Sequence, residues 1–475
     1  MGHRTGQDRK QAALFPVMLD ELVVQDSLVR VVDAWVASLK MKELGFGKAQ
    51  AQVMGAPPYN PADLLKLYLW GYLNAVRSSR ALERECKRNI ECMWLLARLA
   101  PDHKTIAEFR RTNTEALVAA CAAFVQFARV QKLIAGSTVA IDGSKIRAVA
   151  SRKAVLNKQQ LGEQAERQAW QIEQYLKTLD AQDQHDSAGD VRTQDVRRAL
   201  EQLQGQQAQV QAQLERLRQS RGNTAVGGES DAQVMMMAGH SAPGYNLQTA
   251  VESQSHLIVA HEVTNQANDL RQLQPIAEAA SRALVQPITV VADAGYANGE
   301  HIARLDDQGI TSFVAVSRGV NNQAGGTLYD RAAFTWHEQG GYFICPAGKS
   351  LKRKQISNKD KAVIYAARAE DCGVCASKPH CTSAEQRLIS RHLYEHALQA
   401  NAQRLAERPE MMQLRRQTVE HPFADIKHRI LGNARLLVRG LSGASGELSI
   451  AVLAYNLKRA FNMKGSHWMR AALRG

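Results

Sequence analysis

Two aspartates give the first sign of chemistry in this chain. Asp142 follows the apolar run Thr138-Val139-Ala140-Ile141 and precedes Gly143-Ser144, and Asp293 follows Ile288 to Ala292 and precedes Ala294-Gly295-Tyr296. Each reads as a carboxylate that a β-strand delivers into a turn. In an α/β sheet such strand ends hold ligands and metal ions, because the sheet fixes the side chains while the loops leave the site open. One such aspartate alone reads best as a turn former; two in matching contexts, in a basic chain, point to function. A third carboxylate, Glu420, lies in the stretch 415–430. At about 100° per residue, Arg416, Glu420 and Lys427 fall at roughly 0°, 40° and 20° on a helix and share one face. A carboxylate flanked by two cations can complete a metal site while Arg and Lys grip phosphate oxygens. Pro422 works against a regular helix there, and the plainer reading is a solvated Arg–Glu i,i+4 pair.

A second constellation is Cys345-Pro-Ala-Gly with Cys372-Gly-Val-Cys375 and Cys381. C-x2-C brackets a tight turn that aims two thiolates at one ion, and four sulfurs complete the tetrahedral shell of a structural Zn²⁺. Packed free thiols or a redox pair are the alternatives, and His380 can replace Cys381 as fourth ligand. Lys349, Lys352, Arg353 and Lys354 beside it suggest contact with DNA. Cys86, Cys92 and Cys121 sit in helical stretches and read as core. His392-Leu-Tyr-Glu395-His396 matches H-x-x-E-H, but without a downstream acidic ligand it reads as a solvated helix face. Asp269, after Asn268 at a helix start, reads as a cap, with a supporting carboxylate as the alternative. Tyr296 reads equally as a stacking platform for a base or sugar and as a ring packed on the sheet. No P-loop is present.

The elements that must position these groups follow from periodicity. Strand 138–141, a hairpin of Tyr245 to Val251 with Leu257 to Val263, a helix from Asp269 to Leu284, strand 288–292, a helix capped by Asn298, and a strand from Thr311 describe a mixed α/β sheet. Ahead of it, Asn60-Pro61 opens a helix with an apolar stripe, and Ser78-Ser79 opens an Arg-rich one (Arg80, Arg84, Lys87, Arg88). A third runs from Ile90 to Leu99, and Thr105 with Glu108 forms a capping box for a helix towards Lys132. This array fits either a helix-turn-helix region or an ordinary bundle. Leu161, Ala165, Gln168, Ile172, Tyr175 and Leu179, then Leu200, Leu203, Gln207, Val210, Leu214 and Leu217, alternate spacings of three and four across the polar connection Asp180 to Asp190. They read as a coiled-coil-like helical hairpin or a dimerising coiled coil.

The 475 residues suit two or three units, and 45% hydrophobic with 22% charged residues excludes wholesale disorder. The longest apolar run, Ala116 to Val125, is about half a membrane span, and no signal peptide is evident, so a cytoplasmic, nucleoid-associated protein is expected. A net charge of +14 has two foci: residues 415–475 carry 11 Lys+Arg against 3 Asp+Glu, and residues 1–135 carry 19 against 13. Two basic segments suggest a long polyanion.

Together AIDGSK with Asp142, VVADAGY with Asp293 and Arg416-x3-Glu420-x6-Lys427 resemble the DDE transposases of bacterial insertion sequences. NPADLLKLYLWGYLNAVRSSRALERE and GYNLQTAV…HLIVAHEVTN look like one subgroup, so the resemblance spans nearly the whole chain. One departure is that the tyrosine often found three residues before the motif arginine is Gln413 here. The resemblance implies an RNase H-like core (136–318 and 391–465) carrying an all-α N-terminal DNA-binding domain (1–135), the helical hairpin insertion (152–222) and a Cys-rich zinc-type insertion (319–390). It further implies two Mg²⁺ or Mn²⁺ ions held by Asp142, Asp293 and Glu420. Arg416, Lys427 and Tyr296 would contact DNA near the ions, and Arg80, Arg84, Lys87 and Arg88 elsewhere on double-stranded DNA. A homodimer bringing two element ends together would then cut and join strands. Cleavage without joining, or a decayed DNA-binding regulator, are the alternatives.

Overall fold

The computed structural model describes residues 18–50, 57–183, 191–219, 224–237, 239–315, 328–358 and 361–474. The helical start comprises α1 (Leu28–Ser38), α2 (Pro61–Leu73), α3 (Ser79–Arg88), α4 (Ile90–Leu95), α5 (His103–Thr112) and α6 (Thr114–Val130). The Asn60 side chain accepts from Ala62 N with Pro61 at the first helical position, and Ser78 accepts from Ala81 N, as the capping signals require. The expected capping box at Thr105 is not formed. Asp102 takes the N-cap, accepting from Lys104 N and Thr105 N, while Glu108 pairs with Arg111, and the expected long helix breaks at Asn113 into α5 and α6.

The chain then enters β1 (Thr138–Arg147) and β2 (Val155–Asn157), the long helices α7 (Lys158–Asp183) and α8 (Val191–Gln219), and β3 (Thr224–Val226), which pairs back onto β2. Along α7 and α8 the three-and-four stripe is shielded near the base, with Leu161, Val210 and Leu217 buried together against Ala165 and Leu214, while Tyr175 farther out is exposed; most of the polar connection lies outside the described residues. Next come β4 (Gln233–Met237), β5 (His240–Glu252), β6 (Ile258–Thr264), α9 (Leu273–Leu284), β7 (Thr289–Ala292), α10 (Gly299–Asp307) and β8 (Thr311–Val314). The sheet runs β6-β5-β1-β7-β8, with β4 beside the first half of β5. β1 is antiparallel to β5 and parallel to β7, and β7 is parallel to β8. It is the mixed sheet the hydrophobic runs predict. One expectation is corrected: β1 does not end at Asp142 but continues through Gly143 and Ser144 to Arg147, because β5 offers a ladder partner at every step.

Side chains alternate across this sheet. Val139, Ile141, Val290 and Ala292 join α9 residues Leu273 and Ile276 in the large core on one face. Ala140, Val291 and Phe313 pack with Met411 and Val419 on the other. A second sheet, antiparallel throughout, is built from β9 (Thr335–His337), β10 (Tyr342–Ile344), β11 (Ser350–Ser357), β12 (Ala362–Ala366) and β13 (Leu388–His392) around Phe334, Phe343, Leu351 and Tyr365, with the short α11 (Ala369–Gly373) before β13. The chain closes with α12 (Glu395–Glu407), α13 (Glu410–Ala424), a π-helical turn over Asp425–Ile430 and α14 (Leu441–Ala472). Pro422 leaves α13 helical but is followed at once by the wider turn, consistent with the ladder hydrogen bond its ring removes.

The N-terminal helices are not a detached module. Trp35, Leu65, Tyr68 and Phe124 belong to the same continuous core as Ile141, Leu247 and Leu453, and α14 packs on α1, α2, α6 and β6. At that junction Arg77 Nη1 donates to Glu447 Oε1 at 2.9 Å, both side chains being buried, and Glu447 Oε2 accepts from Leu437 N and Val438 N. Removing one partner of a buried ion pair strands the other charge. Glu447→Gln is therefore expected to destabilise the fold by about 3 kcal/mol, read as a lowered midpoint in chemical denaturation, with the double replacement Arg77→Met, Glu447→Leu recovering much of the loss.

Candidate functional site at the open edge of the first strand

Along β1, β7 pairs with Thr138, Val139 and Ala140 alone, whereas β5 follows β1 to Arg147. Beyond Ala140 the β7 side of β1 has no strand partner until the Arg147–Arg435 bridge, among the described residues. Asp142 projects at this opening, and Asp293 follows the last residue of β7. The Asp142 Oδ1 accepts from Gly143 N and the Asp293 Oδ1 from Gly295 N, each at 2.8 Å. Their other oxygens turn to one nitrogen: Arg415 Nη2 lies 2.9 Å from Asp142 Oδ2 and 3.1 Å from Asp293 Oδ2. The structure thus brings together the two aspartates singled out by their sequence contexts, and a cation bridges them.

The bridging arginine is Arg415, not Arg416. Met411, Thr418, Val419 and Pro422 form the buried face of α13, and Arg415 lies at its centre; Arg416 and Glu420 are turned from it by roughly 100° and 140°. Both are exposed, and Glu420 makes no ion pair or hydrogen bond among the described residues. Lys427 reaches the site from the π-helical turn. Desolvation lowers its pKa, the Asp142 carboxylate works against that shift and Lys145 adds to it. Burial pushes the Asp142 carboxyl up to about 6; Arg415 and the Gly143 N–H pull it down, and the like charges of Asp293 and Asp269 push it further up.

The opposite face of the same edge is polar where an apolar lining is the rule. Gly143 is paired with Gln248 and Lys145 with Asn246, and Asn246 and Gln248 are fully buried. Their amides meet Asp269: Asn246 Nδ2 and Gln248 Nε2 each donate to Asp269 Oδ1 at 2.7 Å, and Lys145 Nζ lies 3.3 Å from Asp269 Oδ2. Asp269 is therefore no helix cap. It precedes α9 by four residues, and Gln272 stands at the N-cap without a side-chain capping bond. Tyr296 is fully buried and its hydroxyl donates to Gln248 Oε1, so it supports the network instead of offering a stacking face. Sequence reasoning missed Arg415, Lys145, Asn246 and Gln248. The signal available was Asn246 and Gln248 at alternate positions in an otherwise apolar strand.

Elsewhere, Arg80, Arg84, Lys87 and Arg88 are exposed on α3. Lys87 and Arg88 are paired to Glu83 and Glu85 of their own helix, leaving Arg80 and Arg84 without ion pairs among the described residues. Cys345, Cys372, Cys375 and Cys381 line one small cavity of about 30 Å³. Lys349 N lies 3.3 Å from Cys345 Sγ, and burial raises the Cys381 thiol pKa. Cys86, Cys92 and Cys121 are buried, as expected. The H-x-x-E-H residues do not share a helix face: His392 ends β13, and buried Glu395 binds Arg331. No group of three or more His, Cys, Asp or Glu side chains among the described residues is arranged to hold a metal ion, and no helix among them is long and apolar enough to cross a membrane.

Two family models match the chain: Transposase domain (DUF772) over residues 17–112, and Transposase DDE domain over residues 224–457. No curated protein matches it. The second match begins after Asp142 and contains Asp293, Arg415, Glu420 and Lys427, while the first covers the basic helix α3. With both matches describing transposases, and an RNase H-like mixed sheet bearing two aspartates at its open edge, the chain belongs to the DDE transposases of insertion sequences.

Proposed function

We propose that this protein binds the terminal inverted repeats of its element and catalyses divalent-metal-dependent strand cleavage followed by strand transfer. The observation that carries this reading is the convergence of Asp142 and Asp293 on a single cationic nitrogen. Two carboxylates aimed at one positive charge form a hard oxygen donor set of the kind Mg²⁺ and Mn²⁺ take. The unpartnered Nε of Arg415, buried beside them, marks the guanidinium as incompletely satisfied there.

Asp142 and Asp293 would hold the ions; Glu420, the third carboxylate of the family motif, is exposed and turned from them here and would have to swing inward to join them. Bound divalent ions supply an activated nucleophile and stabilise the leaving oxygen. The chain's own groups do the rest. The bonds from Gly143 N and Gly295 N fix one oxygen of each aspartate and leave the other turned to Arg415. Arg415 and Lys427 suit phosphate oxygens of the scissile strand, and Arg416, exposed and turned from that face, would meet the strand farther out. The α3 cations would hold duplex away from the cut, and a dimer would bring two ends together. A nucleoid-associated protein in the cytoplasm fits that activity.

The test mixes full-length protein with labelled inverted-repeat DNA, a target plasmid and Mg²⁺ or Mn²⁺. Joined products are expected, and their loss in Asp142→Asn and Asp293→Asn with DNA binding retained. Cleavage without joining would leave a nuclease, and metal-independent binding alone a regulator. Arg80→Ala with Arg84→Ala should weaken binding and lower the salt slope by about one unit per lost phosphate contact.

The raised Asp142 pKa sets a pH dependence. The ionised form holds the metal, so Mn²⁺ affinity is retained above pH about 6 and falls as pH drops through it. Titrations at pH 7.5 and 5 should differ far more than for a site of carboxylates with ordinary pKa values near 4.

The four cysteines around the small cavity, which do not stand in a metal-holding arrangement here, are proposed to close on a structural Zn²⁺ that leaves no open position for catalysis. The N–H aimed at Cys345 Sγ suits a thiolate. Elemental analysis should find about one zinc per chain, lost in Cys372→Ser with Cys375→Ser, together with a lowered melting temperature.

A further inference from the structure

The edge of β1 is open to both faces of the sheet, and the two faces are furnished differently. On one, Asp142 meets Arg415 and Lys427. On the other, Asp269 is gripped by two fully buried amides and approached by Lys145. Asp293 stands between, at the end of β7. Two glycines keep the gap narrow. A Cβ on Gly295 would lie 3.0 Å from Asp293 Oδ1 and 3.8 Å from Asp269 Oδ2, and one on Gly143 would lie 2.7 Å from Asp269 Oδ1 and 3.0 Å from Asn246 Oδ1. Asp269 and Asp293 thus border the same small space, and Asp142 feels the charge of both.

We propose that Asp269 is a further metal-holding carboxylate of this site, supplying Oδ2 from the face opposite Arg415 when an ion draws together the three aspartates, which do not stand as a metal group in the present arrangement. The inference rests on the divalent-metal reading above. Three features distinguish this aspartate from a residue that merely ties a loop to a strand. Its Oδ1 already accepts from two amide donors, which orients the group and leaves Oδ2 with only the long Lys145 contact. Those donors are buried side chains spent on one carboxylate, an arrangement that fixes its orientation. Next to it, Asn246 Oδ1 is buried without any hydrogen-bond partner although both hydrogens of its amide are used. An orphaned acceptor at full burial is unfavourable unless a donor arrives, and water on a bound cation is such a donor. Gln248 links the arrangement to Tyr296, three residues after Asp293, so the second aspartate's turn and the Asp269 carboxylate are set by one amide.

Two measurements test the assignment on the full-length protein. The first is Mn²⁺ titration without DNA, by calorimetry or electron paramagnetic resonance, on wild type, Asp142→Asn and Asp269→Asn. Melting temperatures are taken alongside. Asp269→Asn is expected to weaken Mn²⁺ binding about 10- to 100-fold, with melting close to wild type. The second uses unaltered protein and so does not depend on the variant folding: Fe²⁺ in place of Mg²⁺, with ascorbate and peroxide, cuts backbone next to the bound ion. Cuts are expected at 268–270 as well as at 142–143 and 292–295. If Asp142→Asn abolishes binding while Asp269→Asn binds Mn²⁺ as wild type does, or if cuts appear at the other two sites and not at 268–270, the Asp269 assignment is wrong. If wild type neither binds Mn²⁺ nor is cut, the metal reading itself falls first.

Discussion

Everything at this site depends on two carboxylates being held against their mutual repulsion. Asp142 and Asp293 share one guanidinium nitrogen, and at such spacings two like charges oppose each other by an amount on the order of several kcal/mol at an effective dielectric of about 20. The sheet enforces the approach. β1 and β7 are adjacent parallel strands, so a residue just past the end of β7 must lie beside the middle of the longer β1. A positive charge must then come from outside the sheet, and α13 supplies it by burying Met411, Thr418 and Val419 against the strands with Arg415 at the centre of that face. The packing of the helix and the neutralisation of the aspartates are thus one constraint.

The same constraint reaches the basic helices through a chain of guanidinium contacts. Arg77, two residues before α3, donates to Arg435 O as well as to Glu447. Arg435 in turn donates to Ala148 O and Val149 O just past the end of β1. The start of α3 is therefore tied by charge-assisted hydrogen bonds to the chain just past the strand that carries Asp142. With α14 packed against both regions, the helices expected to meet DNA and the sheet expected to cut it share one continuous core. They were readable as separate stretches only because their periodicities differ.

How much was legible follows from which signals are local. The hairpin, the strand before Asp293, the Asn298 cap and the three-and-four stripe of α7 and α8 are written in short windows, and the structure contains them. The length of β1 was not legible, since Asp-Gly-Ser is turn chemistry and only the partner strand β5 extends it. The small second sheet was missed for a related reason: its strands are three to eight residues long and its core needs residues from Phe334 to Ile389. At the site, the aspartates were legible from context. The choice between Arg415 and Arg416 was not, because 100° of helix rotation separates them and the sheet determines the rotation. Asp269 was assigned to a helix that begins four residues later, so its neighbour Asn268 was read as local capping chemistry when the partners that matter lie on β5.

The charges around the opening balance. Asp142, Asp269 and Asp293 face Arg415, Lys427 and Lys145. On the divalent-metal reading, these carboxylates would exchange the side-chain cations for an ion supplying the neutralising charge, and Arg415 and Lys145 would be drawn off the oxygens they now hold. A guanidinium and an ammonium freed at the mouth of the site are the groups that suit phosphate oxygens. Metal and DNA would therefore favour each other's binding by electrostatics alone, with no change of fold: the ion needs the cations elsewhere, and the phosphates give them somewhere to go.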